Sequence, residues 1–160
     1  MIDPRANSPQ RIVPPAPLPV VSRHALRRVK DALPIPTTCN CCSGTCVQLV
    51  EHAEIYGGRS FGDWPYAYLC RDCGAYVGLH RATDLPLGTL ADKPLRDARK
   101  TCKEPFEQIW RDYMTRVEAY AWLAKQLGIP GEQCHFGMFD IDRCHQARRA
   151  CLQYLEKAHA

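Results

Sequence analysis

The chain has 160 residues, of which 46% are hydrophobic and 24% charged, and its mean hydropathy is mildly negative. A chain of this length is typical of one ordinary domain with an appendage, and it can bury a core without covalent staples, so its ten cysteines need another explanation. No apolar run approaches the roughly 20 residues of a membrane span, and no segment has the pattern of a signal peptide. We therefore expect a cytoplasmic protein without membrane association. In that compartment, clustered cysteines are interpreted as metal ligands or reactive thiols in preference to disulfides.

Residues 1–36 differ in composition from the rest of the chain. They contain eight of the thirteen prolines and six basic against two acidic side chains, whereas the remaining 124 residues carry fifteen of each sign. All of the net charge of +4 therefore lies in this segment, which we predict to be a disordered or loosely docked, Pro-rich basic tail with a short helix at residues 23–33. Arg23, Arg27 and Arg28 in that helix are candidate contacts for nucleic acid or a protein partner, and a solvated linker is the alternative.

Residues 37–82 show short β-strand patterns separated by turns. Strands are predicted at residues 47–50, 53–56, 66–69 and 75–79, with Gly57-Gly58 and Gly62-Asp63 supplying turns. Strands this short are not stable alone, so the module needs a further source of stability.

From residue 83 onward the periodicity is helical, and three helices are predicted. Asp92 caps the first, which is expected to break near Pro105. Thr115 and Glu118 form a capping box for the second, which Gly128 closes. Asp140 caps the third, which runs towards residue 158.

Two Cys-x2-Cys pairs are the strongest chemical signal in the chain. Cys39 with Cys42 and Cys70 with Cys73 supply the four thiolates that tetrahedral zinc prefers, and the 27 residues between the pairs accommodate a hairpin with an extra strand. Cys41 and Cys46 complicate the first pair, since Cys42-x3-Cys46 is also a clamp, but only Cys39-x2-Cys42 mirrors the second pair. Redox catalysis is disfavoured, because no βαβ pattern places a thiol at a helix N-terminus.

Two weaker clusters are also candidate sites. A second zinc would have the donors Cys102, Cys134, His135 and Cys144, although Cys144 lies on the apolar stripe of the last helix, where core packing is the alternative. The segment that joins the β module to the helices is a candidate for contact with phosphate or nucleotide through His80, Arg81, Thr83 and Asp84. A hydrogen-bonded domain junction is the alternative for this segment.

The motifs from residue 37 to residue 145 resemble a zinc-finger-containing domain family of unknown function found mainly in bacteriophages and prophages. The matching residues include Cys39 to Cys42, Tyr56-Gly57-Gly58, Trp64-Pro65-Tyr66, Cys70-x2-Cys73, residues 75–80, Pro86-Leu87-Gly88, residues 119–124 and residues 135–140. The resemblance implies zinc binding and a phage or mobile-element origin, with no settled activity. One departure is Cys102, which stands where the family pattern has a histidine.

The predicted fold class is α+β, with a zinc-ribbon-like antiparallel β module at residues 37–82 packed on a three-helix half at residues 83–160. The first functional hypothesis is a non-enzymatic zinc-binding module that recognises nucleic acid or a host protein that handles nucleic acid. The second is a small metal-dependent hydrolase or nuclease that uses His80 and His135. The third is an inhibitor of a host defence or transcription protein.

Overall fold

The structure is a computed structural model that describes residues 1–159, and it divides into two compact units. The first unit ends at Asp92 and the second begins at Lys93. The first contains α1 (Arg23–Arg28), β1 (Val47–Glu51), α2 (His52–Ile55), β2 (Tyr66–Cys70) and β3 (Tyr76–Gly78), and the second contains α3 (Lys93–Asp112), α4 (Arg116–Leu127) and α5 (Ile141–His159). Short 3-10 turns occupy Pro4–Ala6, Gly131–Gln133 and Phe136–Met138. Within residues 1–159, every helix is too short or too polar to cross a membrane.

A three-stranded antiparallel sheet forms the centre of the first unit. Its strand order is β1-β2-β3, and the register places Val47 opposite Cys70 and Ala67 opposite Gly78. Residues beyond β3 extend the pairing, because Leu79 bridges to Pro86 and residue 91 returns to pair with Tyr76. Residues 83–92 thus belong to the same unit as the sheet, and the end of β2 delivers Cys70 to the second cysteine pair.

The strand predicted at residues 53–56 is wrong, because this segment forms the helical turn α2. The N–H of Tyr56 donates to the carbonyl of His52 at 2.9 Å, and the N–H of Gly58 donates to the carbonyl of Ala53 at 2.8 Å. Gly57 and Gly58 both have positive φ, at 60° and 85°, which closes a helical turn and is unfavourable in a strand. The glycine pair therefore ends a helix here instead of connecting two strands.

The N-terminal segment is packed and not disordered, which corrects the expectation from its composition. Its buried apolar side chains join the core of the sheet: Ala6, Leu18, Val21, Leu26 and Val29. The helix predicted at residues 23–33 is present but shorter, with Ser22 as its cap and an extended backbone at Val29. The N–H of Ser22 donates to the carbonyl of Ala82 at 2.8 Å, which ties α1 to the turn after β3. Proline is compatible with such extended, tertiary-bonded backbone, so composition alone overestimates disorder here.

The core of the second unit is built by three helices. The capping box at Thr115 and Glu118 forms as predicted, Gly128 ends α4 with φ of 63°, and Asp140 accepts from the N–H of Arg143 at 2.7 Å. The predicted break at Pro105 does not occur, because α3 continues through it. Pro105 lacks the N–H for one backbone hydrogen bond of the helix, and it is buried next to Phe106.

Candidate metal centre

The four cysteines predicted as zinc ligands converge at one point of the first unit. The sulfur atoms of Cys39, Cys42, Cys70 and Cys73 all lie within 4.8 Å of one another. The Sγ atoms of Cys39 and Cys73 are 3.6 Å apart, and those of Cys42 and Cys70 are 3.7 Å apart. A tetrahedral zinc with Zn–S bonds of about 2.3 Å places its sulfurs about 3.8 Å apart. The donor set therefore fits zinc in chemistry and in spacing.

The two Cys-x2-Cys pairs sit on loops with the same backbone hydrogen bonds. In the first loop, the N–H of Cys39 donates to the carbonyl of Gly44 at 2.8 Å, and the N–H of Ser43 donates back to the carbonyl of Cys39 at 2.8 Å. In the second, Cys70 N–H donates to the carbonyl of Ala75 at 2.8 Å, and Gly74 N–H donates to the carbonyl of Cys70 at 2.9 Å. Ser43 and Gly74 occupy equivalent positions, with φ of 61° and 76°.

Backbone N–H groups in these loops point at the sulfurs. The N–H of Cys41 donates to Cys39 Sγ at 3.4 Å, and the N–H of Gly44 donates to Cys42 Sγ at 3.4 Å. Burial opposes ionisation of Cys39, but hydrogen bonds from the N–H groups of Cys41 and Cys42 and from the thiols of Cys73 and Cys70 bring the pKa of its thiol below the usual value. Such donors stabilise thiolate, which is the form that binds metal.

Glycine is required at position 44 because the side chain of Asp72 approaches it closely, and no sequence motif predicts this contact. A Cβ at this position would lie 2.1 Å from Oδ2 of Asp72, far inside van der Waals contact. The same carboxylate oxygen accepts from the N–H of Cys46 at 3.4 Å, so Asp72 of the second loop bonds to the first. The only sequence signal for this contact is a glycine two residues after Cys42, and that signal is weak by itself.

The other two cysteines near the site lie outside the sulfur cluster. The thiol of Cys41 donates to the carbonyl of Leu90 at 3.5 Å, and burial raises its pKa. Cys46 is exposed. Among residues 1–159, the four-cysteine cluster is the one set of three or more Cys, His, Asp or Glu ligand atoms close enough to share an ion.

The candidates for a second metal site lie in the second unit and do not form such a set. Cys102, Cys134 and Cys144 are buried in its core, and the thiol of Cys102 donates to the carbonyl of Arg99 at 3.3 Å. Burial raises the pKa of Cys134 to about 11. His135 is exposed, and its ring centroid lies 6.3 Å from that of Tyr120.

The four predicted binding residues after β3 divide into two pairs. Thr83 and Asp84 are buried, and their side chains bond within the protein: Thr83 Oγ1 donates to the carbonyl of His80 at 2.8 Å, and Asp84 accepts from Arg5 at 2.7 and 2.9 Å. His80 and Arg81 instead line an open cleft beside α1. The turn is closed by the main-chain carbonyl of His80, which accepts from Thr83, and not by the imidazole of His80.

Among the described residues, the predicted basic side chains of α1 form no ion pair with a carboxylate. Arg23 donates to the carbonyls of Ser8 and Gln10, Arg27 donates to Asn7 Oδ1 at 3.4 Å, and Arg28 bonds to Nε2 of His24. All four acceptors are neutral groups in these contacts. By contrast, Arg71 pairs with Glu54 at 2.6 Å, and Arg81 pairs with Asp63 at 2.5 Å.

Comparison with known proteins agrees with the geometry. The model of a family described as a zinc-finger-containing domain matches residues 35–154, which include all four clustered cysteines. Neither a curated protein nor a solved structure gives a match. The match spans most of the chain and includes the four-cysteine cluster, and the protein therefore belongs to this family of zinc-finger-containing domains.

Proposed function

We propose that the protein is a non-enzymatic, zinc-stabilised module that recognises nucleic acid in the cytoplasm, in the phage or mobile-element setting that its sequence resemblance implies. Zinc held by four cysteines has a complete tetrahedral shell, so Cys39, Cys42, Cys70 and Cys73 would use the ion to stabilise the fold and leave no position for a reacting water. This ligand set supports binding over hydrolysis.

The main support for this proposal is that the arginines of α1 form no ion pairs with carboxylates. The three arginines of the helix form no such pair in the part of the chain that the structure describes, and Arg27 and Arg28 are exposed. Lys30 follows on the same exposed segment. Uncompensated cations on one ordered element attract the phosphates of a nucleic acid and release their counterions on binding.

Point substitutions test this better than removal of the segment, because Leu18 and Leu26 belong to the core. Labelled single- and double-stranded DNA and RNA are titrated over a salt series with the zinc-loaded chain and with a triple variant, Arg27→Gln, Arg28→Gln, Lys30→Gln. Each phosphate contact on duplex DNA contributes a slope of about −0.9 to log K against log salt. We expect the triple variant to bind more weakly and with a flatter slope, by up to about 2.7 if all three residues contact phosphates.

A matched control removes three cations that are paired with carboxylates. Lys93 pairs with Asp97, and Lys103 and Arg111 pair with Glu107, so their replacement by Gln lowers the net charge equally. We expect this control to change binding much less. Equal losses in both variants, or no binding of any nucleic acid by the parent protein, would overturn the proposal and favour a protein partner.

A further inference from the structure

A cleft of about 480 Å³ in the first unit collects basic and hydrogen-bonding side chains from two distant parts of the chain. One wall is α1 with its cap, which contributes Ser22, His24 and Arg28. The facing wall is the turn after β3, which contributes His80 and Arg81. None of the described residues that line the cleft is acidic.

The geometry of these groups favours an anion over a cation or a neutral ligand. Each guanidinium has five N–H donors, and the known partners of Arg28 and Arg81, His24 and Asp63, leave several free. Because Nε2 of His24 accepts from Arg28, the proton of a neutral His24 ring lies on Nδ1, which can donate. Burial lowers the pKa of His80, so this imidazole is a neutral hydrogen-bonding group at neutral pH.

Contacts between the N-terminal segment and the turn after β3 hold the two walls of the cleft in place. The N–H of Ser22 donates to the carbonyl of Ala82 at 2.8 Å, joining the two walls at the edge of the cleft. The ion pair between Arg5 and the buried Asp84 anchors the N-terminal segment to the same turn. A site on braced elements positions its donors at lower entropic cost than a site on free loops.

The size of the cleft sets the ligand class. Its volume lies within the roughly 300–1,000 Å³ typical of small-molecule sites, which exceeds what a lone phosphate fills. Val29 and Ala25 add an apolar surface beside the cations, suited to a sugar or base. We infer that this cleft binds the phosphomonoester of a nucleotide, with Arg28 and Arg81 on the phosphate, either as a free nucleotide or as the phosphorylated end of a strand.

This inference deepens the proposed function and is tested by calorimetry on the zinc-loaded full chain. The probes are AMP, adenosine, and one oligonucleotide carrying a 5′-phosphate, a 3′-phosphate or no terminal phosphate. We expect AMP to bind and adenosine to bind at least about tenfold more weakly, because a charged hydrogen bond is lost. Preference for one phosphorylated end identifies a strand terminus as the ligand, whereas equal affinity for all three oligonucleotides with retained AMP binding identifies a free nucleotide.

Three arginine substitutions separate binding in the cleft from general electrostatic attraction. Arg28→Gln should weaken AMP binding about tenfold, and Arg81→Gln should weaken it less, because Asp63 offsets part of the Arg81 charge at 2.5 Å. Arg27→Gln removes the same charge from the neighbouring position of α1, which does not line the cleft, and should leave AMP binding nearly unchanged. Zinc content and the circular dichroism spectrum verify that each variant is folded.

The outcomes also distinguish failure of the cleft from failure of the proposed function. Equal binding of AMP and adenosine, no binding of AMP at millimolar concentration, or equal effects of Arg27→Gln and Arg28→Gln would overturn the cleft as a phosphate site. Salt-dependent binding of oligonucleotides in that case would still support nucleic-acid recognition. AMP binding without any oligonucleotide binding would retain the cleft and reject the proposed function.

Discussion

Arg5 and Asp84 form a bidentate ion pair across 79 residues of sequence. Nη1 of Arg5 donates to one carboxylate oxygen of Asp84 at 2.9 Å, and Nη2 donates to the other at 2.7 Å. Asp84 is only 2% exposed, and Asp3 contacts the same guanidinium at 2.7 Å. The pair raises the pKa of Arg5 further above its usual value. The buried carboxylate of Asp84 in the first unit therefore depends on Arg5, in the 3-10 turn Pro4–Ala6, for its counter-charge.

Arg5→Ala is expected to destabilise the first unit by about 3 kcal/mol, because it leaves the buried Asp84 carboxylate without a partner. Chemical denaturation of the zinc-loaded protein measures this loss. Asp84→Asn added to Arg5→Ala should recover part of it, since the uncompensated charge is then gone. A double variant no more stable than Arg5→Ala alone would contradict this account of the pair.

Cys70→Ser is expected to abolish zinc binding and to unfold the first unit, since metal binding supplies roughly 10–16 kcal/mol in small zinc modules. Elemental analysis should give one zinc per parent chain. The helical signal of the second unit should persist, because that unit has its own core. Cys41→Ser and Cys46→Ser are the matched controls and should retain the ion. A metal-free parent protein with an unchanged melting curve would end this interpretation.

Gly44→Ala should weaken zinc binding and lower the melting temperature, because the new methyl group would collide with the carboxylate of Asp72. Competition with a chelator measures the zinc affinity. Asp72→Ala in the same chain should restore part of it by removing the colliding oxygen. If Asp72→Ala gives no rescue, the glycine is needed for some reason other than this contact.

Alkylation at mildly basic pH is expected to separate the ten cysteines into three groups. Cys46 is exposed and should react first in the zinc-loaded protein, with half-buried Cys41 slower. The four zinc ligands should react only after chelation. The buried thiols of the second unit should stay unlabelled until unfolding, since burial raises the pKa of Cys151 to about 12 and that of Cys134 to about 11. Mass spectrometry locates the labels, and early labelling of a buried thiol would contradict the packing described.

His80 should make stability depend on pH in a defined direction. Burial holds the folded pKa of His80 below its ordinary value of 6.5, so the unfolded chain takes up the proton first as pH falls. Stability present above about pH 6.5 is therefore lost as pH falls towards the folded pKa. Protonation of zinc ligands acts in the same direction, so the test compares variants by denaturation from about pH 7.5 to about pH 5.5.

His80→Gln should cost little stability at neutral pH and should show a shallower loss on acidification than the parent protein. Identical pH profiles for the parent and His80→Gln would show that burial of His80 does not make the free energy of unfolding depend on pH.

Local patterns predicted most of the elements and the cluster of four cysteines that can hold a metal ion. Matched Cys-x2-Cys spacing, the Thr115–Glu118 capping box and the Asp140 cap are interactions between residues a few positions apart, so the sequence displays them directly. The packing of the N-terminal segment depends on contacts such as that between Ser22 and Ala82, for which no local pattern exists. Irregularly spaced buried residues among prolines have no period, and a proline-rich composition then suggests disorder.

The bonds between the N-terminal segment and the turn after β3 have a practical consequence for anyone preparing a fragment. The recognised family region begins at residue 35 and ends at residue 154, and these are natural points at which to cut. Such a fragment would lose Ala6, Leu18 and Leu26 from the first core and Leu155 from the second. The apolar surface exposed at both ends would promote aggregation. A fragment cut at the limits of the family match is therefore too short, and the residues on either side of it are needed for a folded protein.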